Sequence, residues 1–157
     1  MRIAVFSDSH GSYREMVRIV ETGNHDIIIH LGDCVGDGAE LARRTNKPLL
    51  SVAGNCDFIT DQRRELVTDI CGVKVFLCHG NAYGGDAYAV AKAARERGCT
   101  LAFFGHTHVP VDITADGVRV INPGSISRPR YPARCPSFVA GTISNGRIEL
   151  SVVESDY

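Results

Sequence analysis

Short apolar runs rich in Val, Ile and Phe alternate with helix-length amphipathic segments through the first two thirds of the chain. This alternation is typical of β-α-β units, in which a helix joins two buried strands. The predicted strands are Arg2–Phe6, Asp26–Leu31, Leu49–Val52, Leu66–Ile70, Lys74–Cys78 and Leu101–Phe104. The pattern therefore predicts an α/β fold for this part of the chain.

The first predicted helix begins after Ser12 and runs to about Thr22. Ser12 is the expected N-cap, and Glu15, three residues later, is its expected capping-box partner. Gly23 should end the helix, because glycine readily adopts the left-handed backbone found at helix C-termini. Two further helices are predicted over Gly38–Arg44 and Asp86–Arg97.

The pattern changes after Pro110, where strand-like segments meet at turn sequences. Asn145-Gly146 is among the strongest hairpin signals, and Asp116-Gly117 marks a second turn. The predicted hairpins pair Val111–Thr114 with Val118–Ile121 and Phe138–Ser144 with Arg147–Val153. We therefore expect one α/β domain over residues 1–157, with one mixed sheet or two sheets packed face to face and helices outside.

Composition mainly excludes other classes of protein. The chain has 157 residues, is 44% hydrophobic and carries a formal net charge of −1. It can bury a core without disulfides, and it lacks the basic excess of a protein that holds nucleic acid by its backbone. No apolar run approaches the roughly 18 residues of a membrane span, and the N-terminus has no signal-peptide pattern. The six cysteines form no C-x-x-C pair, so we expect a cytoplasmic protein without a disulfide framework.

Residue types that bind metal ions recur directly after five predicted strands. They are Asp8, His10, Asp33, Asn55, His79, His106 and His108. Ligands collect outside the carboxyl ends of strands in α/β sheets, so we expect these loops to meet in one pocket. Neighbouring glycines such as Gly54 and Gly105 would permit close backbone approach. The other two histidines, His25 and His30, are expected to be structural.

Each of these residues alone is weak evidence, because a single histidine is more often a surface or hydrogen-bonded residue and a single aspartate is usually a cap. Together they supply two carboxylates, one amide and four imidazoles. This is more than one tetrahedral site can use, so two ions are implied. The mixed set suits Mn, Fe, Zn, Co or Ni rather than Ca²⁺. Two such ions about 3.5–4 Å apart, bridged by a carboxylate and a water, indicate phosphoester hydrolysis.

The order and spacing of these motifs resemble those of the calcineurin-like metallophosphoesterases, over the whole chain. Gly54-Asn55-Cys56-Asp57 and the segment 122–130 resemble the small YfcE-like branch, which also includes the phosphoesterase-like subunit of retromer. The resemblance implies a four-layer α/β/β/α sandwich of two mixed sheets and a pair of divalent ions, Mn first, with Ni, Fe, Co or Zn as alternatives. It assigns Asp8, His10 and His108 to the first ion, Asp33 to the bridge, and Asn55, His79 and His106 to the second ion.

Cys56 departs from the family, because most larger members carry a histidine there that is thought to protonate the leaving oxygen, oriented by the following acid. A thiol near two cations is a poor general acid, since its thiolate has no proton to give. Cys56 is therefore expected to fill space, and Asp57 to cap the following turn or to fix Asn55. A catalytic role for Cys56 and Asp57 is the weaker alternative, and no side chain is assigned as a catalytic group. Without that acid, aryl diesters and similar substrates with good leaving groups are favoured.

The expected function is hydrolysis of a small phosphodiester by attack of a metal-bridging hydroxide. Asn55 and Arg128 are the candidate substrate-binding residues, and Arg130 lies beside Arg128. We expect a nucleic acid to bind only if it is a substrate, and we expect no membrane partner. The resemblance allows a homo-oligomer. The alternative is a protein-interaction scaffold like the retromer subunit. A nucleotide-binding module is a weaker alternative, because Gly32 to Gly38 match neither common phosphate-binding motif.

Overall fold

The computed structural model describes residues 1–155; Asp156 and Tyr157, which the domain prediction included, lie outside the described residues. Its strands are β1 Arg2–Phe6, β2 Ile27–His30, β3 Leu49–Ser51, β4 Glu65–Ile70, β5 Val73–Cys78, β6 Leu101–Phe103, β7 Pro110–Ala115, β8 Val118–Pro123, β9 Ser137–Ser144 and β10 Arg147–Glu154. The helices are α1 Tyr13–Gly23, α2 Val35–Thr45 and α3 Ala87–Glu96, and a short 3₁₀ helix spans Asn81–Tyr83. The predicted succession of strands and helices is confirmed.

The strands form two five-stranded mixed sheets. The first has the order β10-β9-β1-β2-β3, with parallel pairing of β1, β2 and β3 and antiparallel pairing of β9 and β10. The second has the order β4-β5-β6-β8-β7, with parallel β5, β6 and β8 between antiparallel edge strands. The carboxyl ends of β1, β2 and β3 therefore share one edge of their sheet, and those of β5 and β6 share an edge of the other.

Alternating side chains of β1 show how the layers pack. Ile3 and Val5 belong to a core cluster that joins the two sheets, whereas Ala4 and Phe6 belong to the cluster under α1 and α2. Successive residues of a strand face opposite sides, and both sides are buried here, so the strand is apolar from Ile3 to Phe6. A third cluster seats α3 on the outer face of the second sheet through Val90. The predicted four-layer α/β/β/α sandwich is confirmed.

Both predicted hairpins are present, and the turn residues explain them. Asn145 and Gly146 have φ of 48° and 78°, as a two-residue hairpin of the favoured twist requires. A third tight hairpin joins β4 to β5 through Cys71 and Gly72, with φ of 50° and 83°. The sequence analysis did not predict this turn, because cysteine is not a typical residue for the left-handed conformation.

The first helix differs from the prediction at both ends. The Ser12 side chain makes no capping hydrogen bond. The predicted capping-box partner, Glu15, instead accepts hydrogen bonds from Arg18 and from Ser155 Oγ. The helix includes Gly23, and the left-handed residue at its C-terminus is Asn24, with φ of 50°.

The second helix begins at Val35, three residues before the predicted start at Gly38. Its N-terminal N–H groups are capped from a distant loop by the carboxylate of Asp57, which no local pattern reveals. The third helix agrees with the prediction, since Asp86 Oδ1 accepts a hydrogen bond from the N–H of Tyr88 at 2.9 Å. No helix within residues 1–155 is long and apolar enough to span a bilayer.

Candidate metal centre

The five loops that follow β1, β2, β3, β5 and β6 meet at one edge of the sandwich, and all seven predicted side chains converge there. The Nε2 atom of His79 lies 3.4 Å from Asp33 Oδ1 and 3.9 Å from Asp8 Oδ1. Asp8 Oδ1 is 3.1 Å from Nε2 of His108, and Asp33 Oδ2 is 4.0 Å from Nε2 of His10. Residues from both sheets therefore contribute to one cluster.

The cluster divides into two groups that share one carboxylate. Ligand-type atoms of Asp8, His10, Asp33 and His108 all lie within 4.8 Å of one another. On the other side, Asn55 Oδ1 lies 3.1 Å from His79 Nε2 and 2.9 Å from His106 Nδ1. The two oxygens of Asp33 face different groups, with Oδ1 toward His79 and Oδ2 toward His10.

In His79 and His108, the ring nitrogen that points away from the cluster makes a hydrogen bond, and this bond determines which nitrogen faces the cluster. Nδ1 of His79 lies 2.7 Å from the carbonyl oxygen of Leu31, and Nδ1 of His108 lies 2.6 Å from that of Arg128. A carbonyl oxygen can only accept, so each Nδ1 carries the proton and donates it. In the neutral ring, Nε2 then presents a lone pair to the cluster, the arrangement typical of metal-binding histidines.

When these rings are neutral, acceptor atoms face one another across the cluster. Asp8 Oδ1 and His10 Nε2 are buried and have no hydrogen-bond partner among residues 1–155. Burial raises the pKa of Asp8, but His108, His79 and Ser7 outweigh it and hold that pKa below its usual value. Burial lowers the pKa of His108, and contact with Asp8 reverses this and raises it. A cation would stabilise both the lone pairs that face one another and the buried carboxylate of Asp8. This set of donor atoms therefore fits divalent ions.

Most of these residues occupy a backbone conformation that L-amino acids seldom adopt. Five of the seven have positive φ between 42° and 68°: Asp8, His10, Asp33, His106 and His108. Asp and His enter this region more readily than most residues, yet each such position costs about 1–3 kcal/mol when the surrounding structure enforces it. Strain of this kind concentrates at functional sites. The sequence analysis missed this feature, because nothing local distinguishes a strained aspartate from a cap.

Two glycines let the strand-end loops approach closely. A Cβ atom on Gly54 would lie 2.2 Å from Asp33 Oδ1, and one on Gly105 would lie 1.8 Å from Ser7 Oγ and 2.8 Å from Asp8 Oδ2. None of these three contacts is sterically allowed. The expected close approach at these glycines is therefore confirmed.

Asp57 joins two of the loops through their backbones. Its Oδ2 accepts from the N–H groups of Asp33 at 2.9 Å and of Gly54 at 2.8 Å, and its Oδ1 accepts from Cys34 and Val35 at 2.9 and 3.0 Å. Burial raises the pKa of Asp57, but these four donors outweigh it and lower that pKa. Of the two roles predicted for Asp57, the cap of the following turn is wrong, because its carboxylate points back to the start of α2. Its hydrogen bond from the N–H of Gly54 holds the residue directly before Asn55.

A buried polar chain, which the sequence analysis missed, supports the loop of His10. Ser9 Oγ donates to Asp37 Oδ2 at 2.7 Å and lies 3.0 Å from His30 Nε2, and the same carboxylate oxygen accepts from the N–H of Gly11. His30 is fully buried, and burial lowers its pKa to about 4. His30 is therefore a neutral structural histidine, as predicted, and Asp37 holds the residues on both sides of His10.

The segment after β8 closes the other side of the cluster. Ser125 Oγ donates to the carbonyl of Asp8, and the N–H of Arg130 donates to the carbonyl of His108. A cavity of about 400 Å³ opens above the cluster, lined by His10, Asp33, Asn55, Cys56, His106, His108, Arg128, Pro129 and Arg130. Cys56 is exposed, and desolvation together with Asp33 raises its pKa to about 11.

Similarity to known proteins agrees with this site. A model of the calcineurin-like phosphoesterase superfamily domain matches residues 1–146. The chain belongs to the calcineurin-like phosphoesterase superfamily. Among the relatives of this phosphoesterase-family chain, the probable metallophosphoesterase YsnB of Bacillus subtilis is 34% identical over 92% of this chain and 86% of its own. Phosphodiesterase YfcE of Escherichia coli strain K12 is 27% identical over 83% of this chain and 82% of its own.

Solved structures extend the comparison to the fold. The crystal structure of Vps29 complexed with zinc, from Entamoeba histolytica, superimposes with a TM-score of 0.79 at 22% identity. The match covers 98% of this phosphoesterase-family chain and 99% of the Vps29 chain. At this identity the likeness establishes the shared fold alone. The metallophosphoesterase fold is thus confirmed by the sheet topology and by comparison.

Proposed function

We propose that this chain is a two-metal phosphodiesterase that hydrolyses small phosphodiesters in the cytoplasm. The observation that carries the proposal is the set of convergent lone pairs at Asp8, His10, Asp33, His79 and His108, two of them buried and without a hydrogen-bond partner among residues 1–155. The cytoplasmic location is supported by the free cysteines of the described chain. The relatives' names, probable metallophosphoesterase and phosphodiesterase, support the reaction class.

The residues would divide between two ions. Asp8, His10 and His108 would hold the first, Asn55, His79 and His106 the second, and Asp33 both. This division is supported by the opposite directions of the two Asp33 oxygens. Mn²⁺ is our first choice because carboxylate, imidazole and amide ligands without thiolate suit it, and Ni, Fe, Co or Zn are alternatives. Ions in such a pair supply an activated water and neutralise the phosphate charge.

The chain's own groups would bind and orient the ester. Asn55 and Arg128 line the cavity and are the proposed substrate contacts, the guanidinium of Arg128 as a two-pronged donor to phosphate oxygens. Cys56 lines the same cavity and is a poor general acid in either state: without ions its pKa is about 11, and two cations beside it would favour the thiolate, which has no proton to give. No strong general acid stands near the leaving oxygen, so esters that leave as stable aryloxides would react best.

The first test is hydrolysis of bis(4-nitrophenyl) phosphate by chelator-treated protein, with and without added Mn²⁺. Metal-dependent activity that Asp33→Asn abolishes, together with a loss of bound metal in that variant, would support the proposal. Asp61→Asn is the matched control, because Asp61 is exposed and lies outside the cluster. Folded protein that binds metal yet remains inactive with Mn, Ni, Co, Zn and Fe would contradict it.

A second candidate function is a scaffold that presents surfaces to protein partners. The structural likeness to Vps29 supports it. A scaffold does not need seven convergent ligand-type side chains, which is why we place the enzyme first.

A further inference from the structure

Arg130 lines the cavity beside the proposed substrate contact Arg128, and the proposed reaction leaves it without a role. The backbone fixes both arginines to one candidate metal ligand. The carbonyl of Arg128 accepts from His108 Nδ1, and the N–H of Arg130 donates to the carbonyl of His108. No carboxylate within residues 1–155 pairs with either guanidinium. Two free cations therefore border a cavity whose own lining contains a single carboxylate, Asp33.

Both guanidiniums border the same cavity, and only Pro129 separates the two arginines along the chain. A single phosphate bound by Arg128 would leave the charge of Arg130 without a counterion. An unpaired cation so placed favours a second anionic group on the same substrate.

The loops that carry the cavity lining also expose large apolar side chains. Phe58 and Ile59 follow Cys56 and are 85% and 101% exposed, and Tyr131 follows Arg130 and is 89% exposed. They are the three most exposed large apolar residues in the described chain. Exposed aromatic side chains in the loops that also supply the arginines and Cys56 of the cavity favour planar rings, which they can stack upon.

We propose that the substrate is a nucleotide unit, a phosphodiester that carries a second phosphate held by Arg130 and a base stacked on Phe58 or Tyr131. This inference rests on the proposed function, because it assumes that the scissile phosphate occupies the candidate metal centre. It assigns substrate selection to residues that bind no metal. The position of Arg130 depends on backbone hydrogen bonds to the His108 loop, so truncating its side chain leaves that anchor intact.

Three synthetic diesters with the same leaving group test the inference. Methyl 4-nitrophenyl phosphate has neither base nor second phosphate, thymidine 5′-(4-nitrophenyl phosphate) adds the deoxyribose and the base, and its 3′-phosphorylated form adds the second anion. We expect kcat/KM to rise about fivefold or more with the base and about tenfold or more with the second phosphate. Because the leaving group is constant, these ratios report recognition and not chemistry.

Variants assign each gain to a residue. Arg130→Ala should remove the tenfold gain from the 3′-phosphate, and the double variant Phe58→Ala/Tyr131→Ala should remove the gain from the base. Arg134→Ala is the matched control, since Arg134 is exposed in the same loop and does not line the cavity. It should leave both ratios as in the unmodified protein.

A binding measurement separates this inference from the proposed reaction. Calorimetric titration of the metal-loaded protein should show thymidine 3′,5′-bisphosphate binding about tenfold more tightly than thymidine 5′-phosphate, and Arg130→Ala should abolish the difference. If methyl 4-nitrophenyl phosphate is hydrolysed but both ratios stay within twofold of one, the inference is overturned and the phosphodiesterase stands. If no ester is hydrolysed while the Arg130-dependent binding is present, the proposed reaction fails and the nucleotide site remains.

Discussion

Replacing Asp57 by asparagine changes one oxygen of the carboxylate that joins the β2 and β3 loops. The aspartate oxygens each accept two backbone N–H groups, Oδ2 from Asp33 and Gly54 and Oδ1 from Cys34 and Val35. Asparagine keeps one acceptor oxygen, and its NH₂ group must face one of these pairs of donors. Two N–H groups of this loop region then lose their partner.

The expected cost follows from those two donors. A buried N–H without a partner costs about 1–3 kcal/mol, so the loss of two partners in Asp57→Asn should lower the free energy of unfolding by about 2–6 kcal/mol. This is a large part of the roughly 5–15 kcal/mol that stabilises a typical domain. Because the N–H of Asp33 is one of the donors, metal affinity should also fall, by about 10- to 100-fold.

Urea denaturation in the presence of a chelator measures the first effect, and calorimetric titration with Mn²⁺ measures the second. Asp61→Asn changes the same chemical group on an exposed residue and should alter neither. A change in unfolding free energy below 0.5 kcal/mol, roughly the scatter of surface substitutions, would refute the hydrogen-bond reasoning. Reduced stability with unaltered metal affinity would show that Asp57 supports the fold without positioning Asp33.

Three further outcomes are expected. Cys56→His should raise kcat/KM for monoesters with poor leaving groups, by up to about 10²–10⁴-fold, and no change would remove Cys56 from the explanation of substrate choice. The pKa of His30 is about 4 in the folded protein, against 6.5 in the unfolded chain. Between these two pH values the unfolded chain binds more protons, so the free energy of unfolding should fall by up to about 3 kcal/mol as the pH is lowered from 6.5 to 4. Denaturation at several pH values should show this slope, flattened in His30→Gln. Gly105→Ala should destabilise the protein by about 1–3 kcal/mol and weaken Mn²⁺ binding, because its Cβ would overlap Ser7 Oγ.

The strands and the convergence of the candidate ligands could be predicted, because both depend on patterns along the chain. Apolar runs mark strands buried on both faces, as in β1, and parallel strands bring their carboxyl ends to one edge. The Asn145-Gly146 hairpin was predictable for a similar reason, since its turn conformation is a property of those two residues.

Features imposed by distant contacts could not be predicted in this way. Helix α2 starts early because Asp57, 22 residues beyond Val35, supplies its cap. Glu15 does not form the predicted capping box, because its carboxylate accepts hydrogen bonds from Arg18 and Ser155 instead. The role of Asp37 behind the His10 loop likewise depends on a chain fold that brings α2 against that loop.

The hydrogen bonds from His79 to Leu31 and from His108 to Arg128 have a kinetic consequence for the acquisition of metal. Two ligand rings are already held in the tautomer and orientation that an ion requires, so neither must rotate or transfer a proton between its nitrogens when an ion arrives. The slow event in loading would then be the loss of water from the ion itself. Ions that release their hydration shell readily would fill the site first, and Mg²⁺, which dehydrates reluctantly, would fill it late even when abundant.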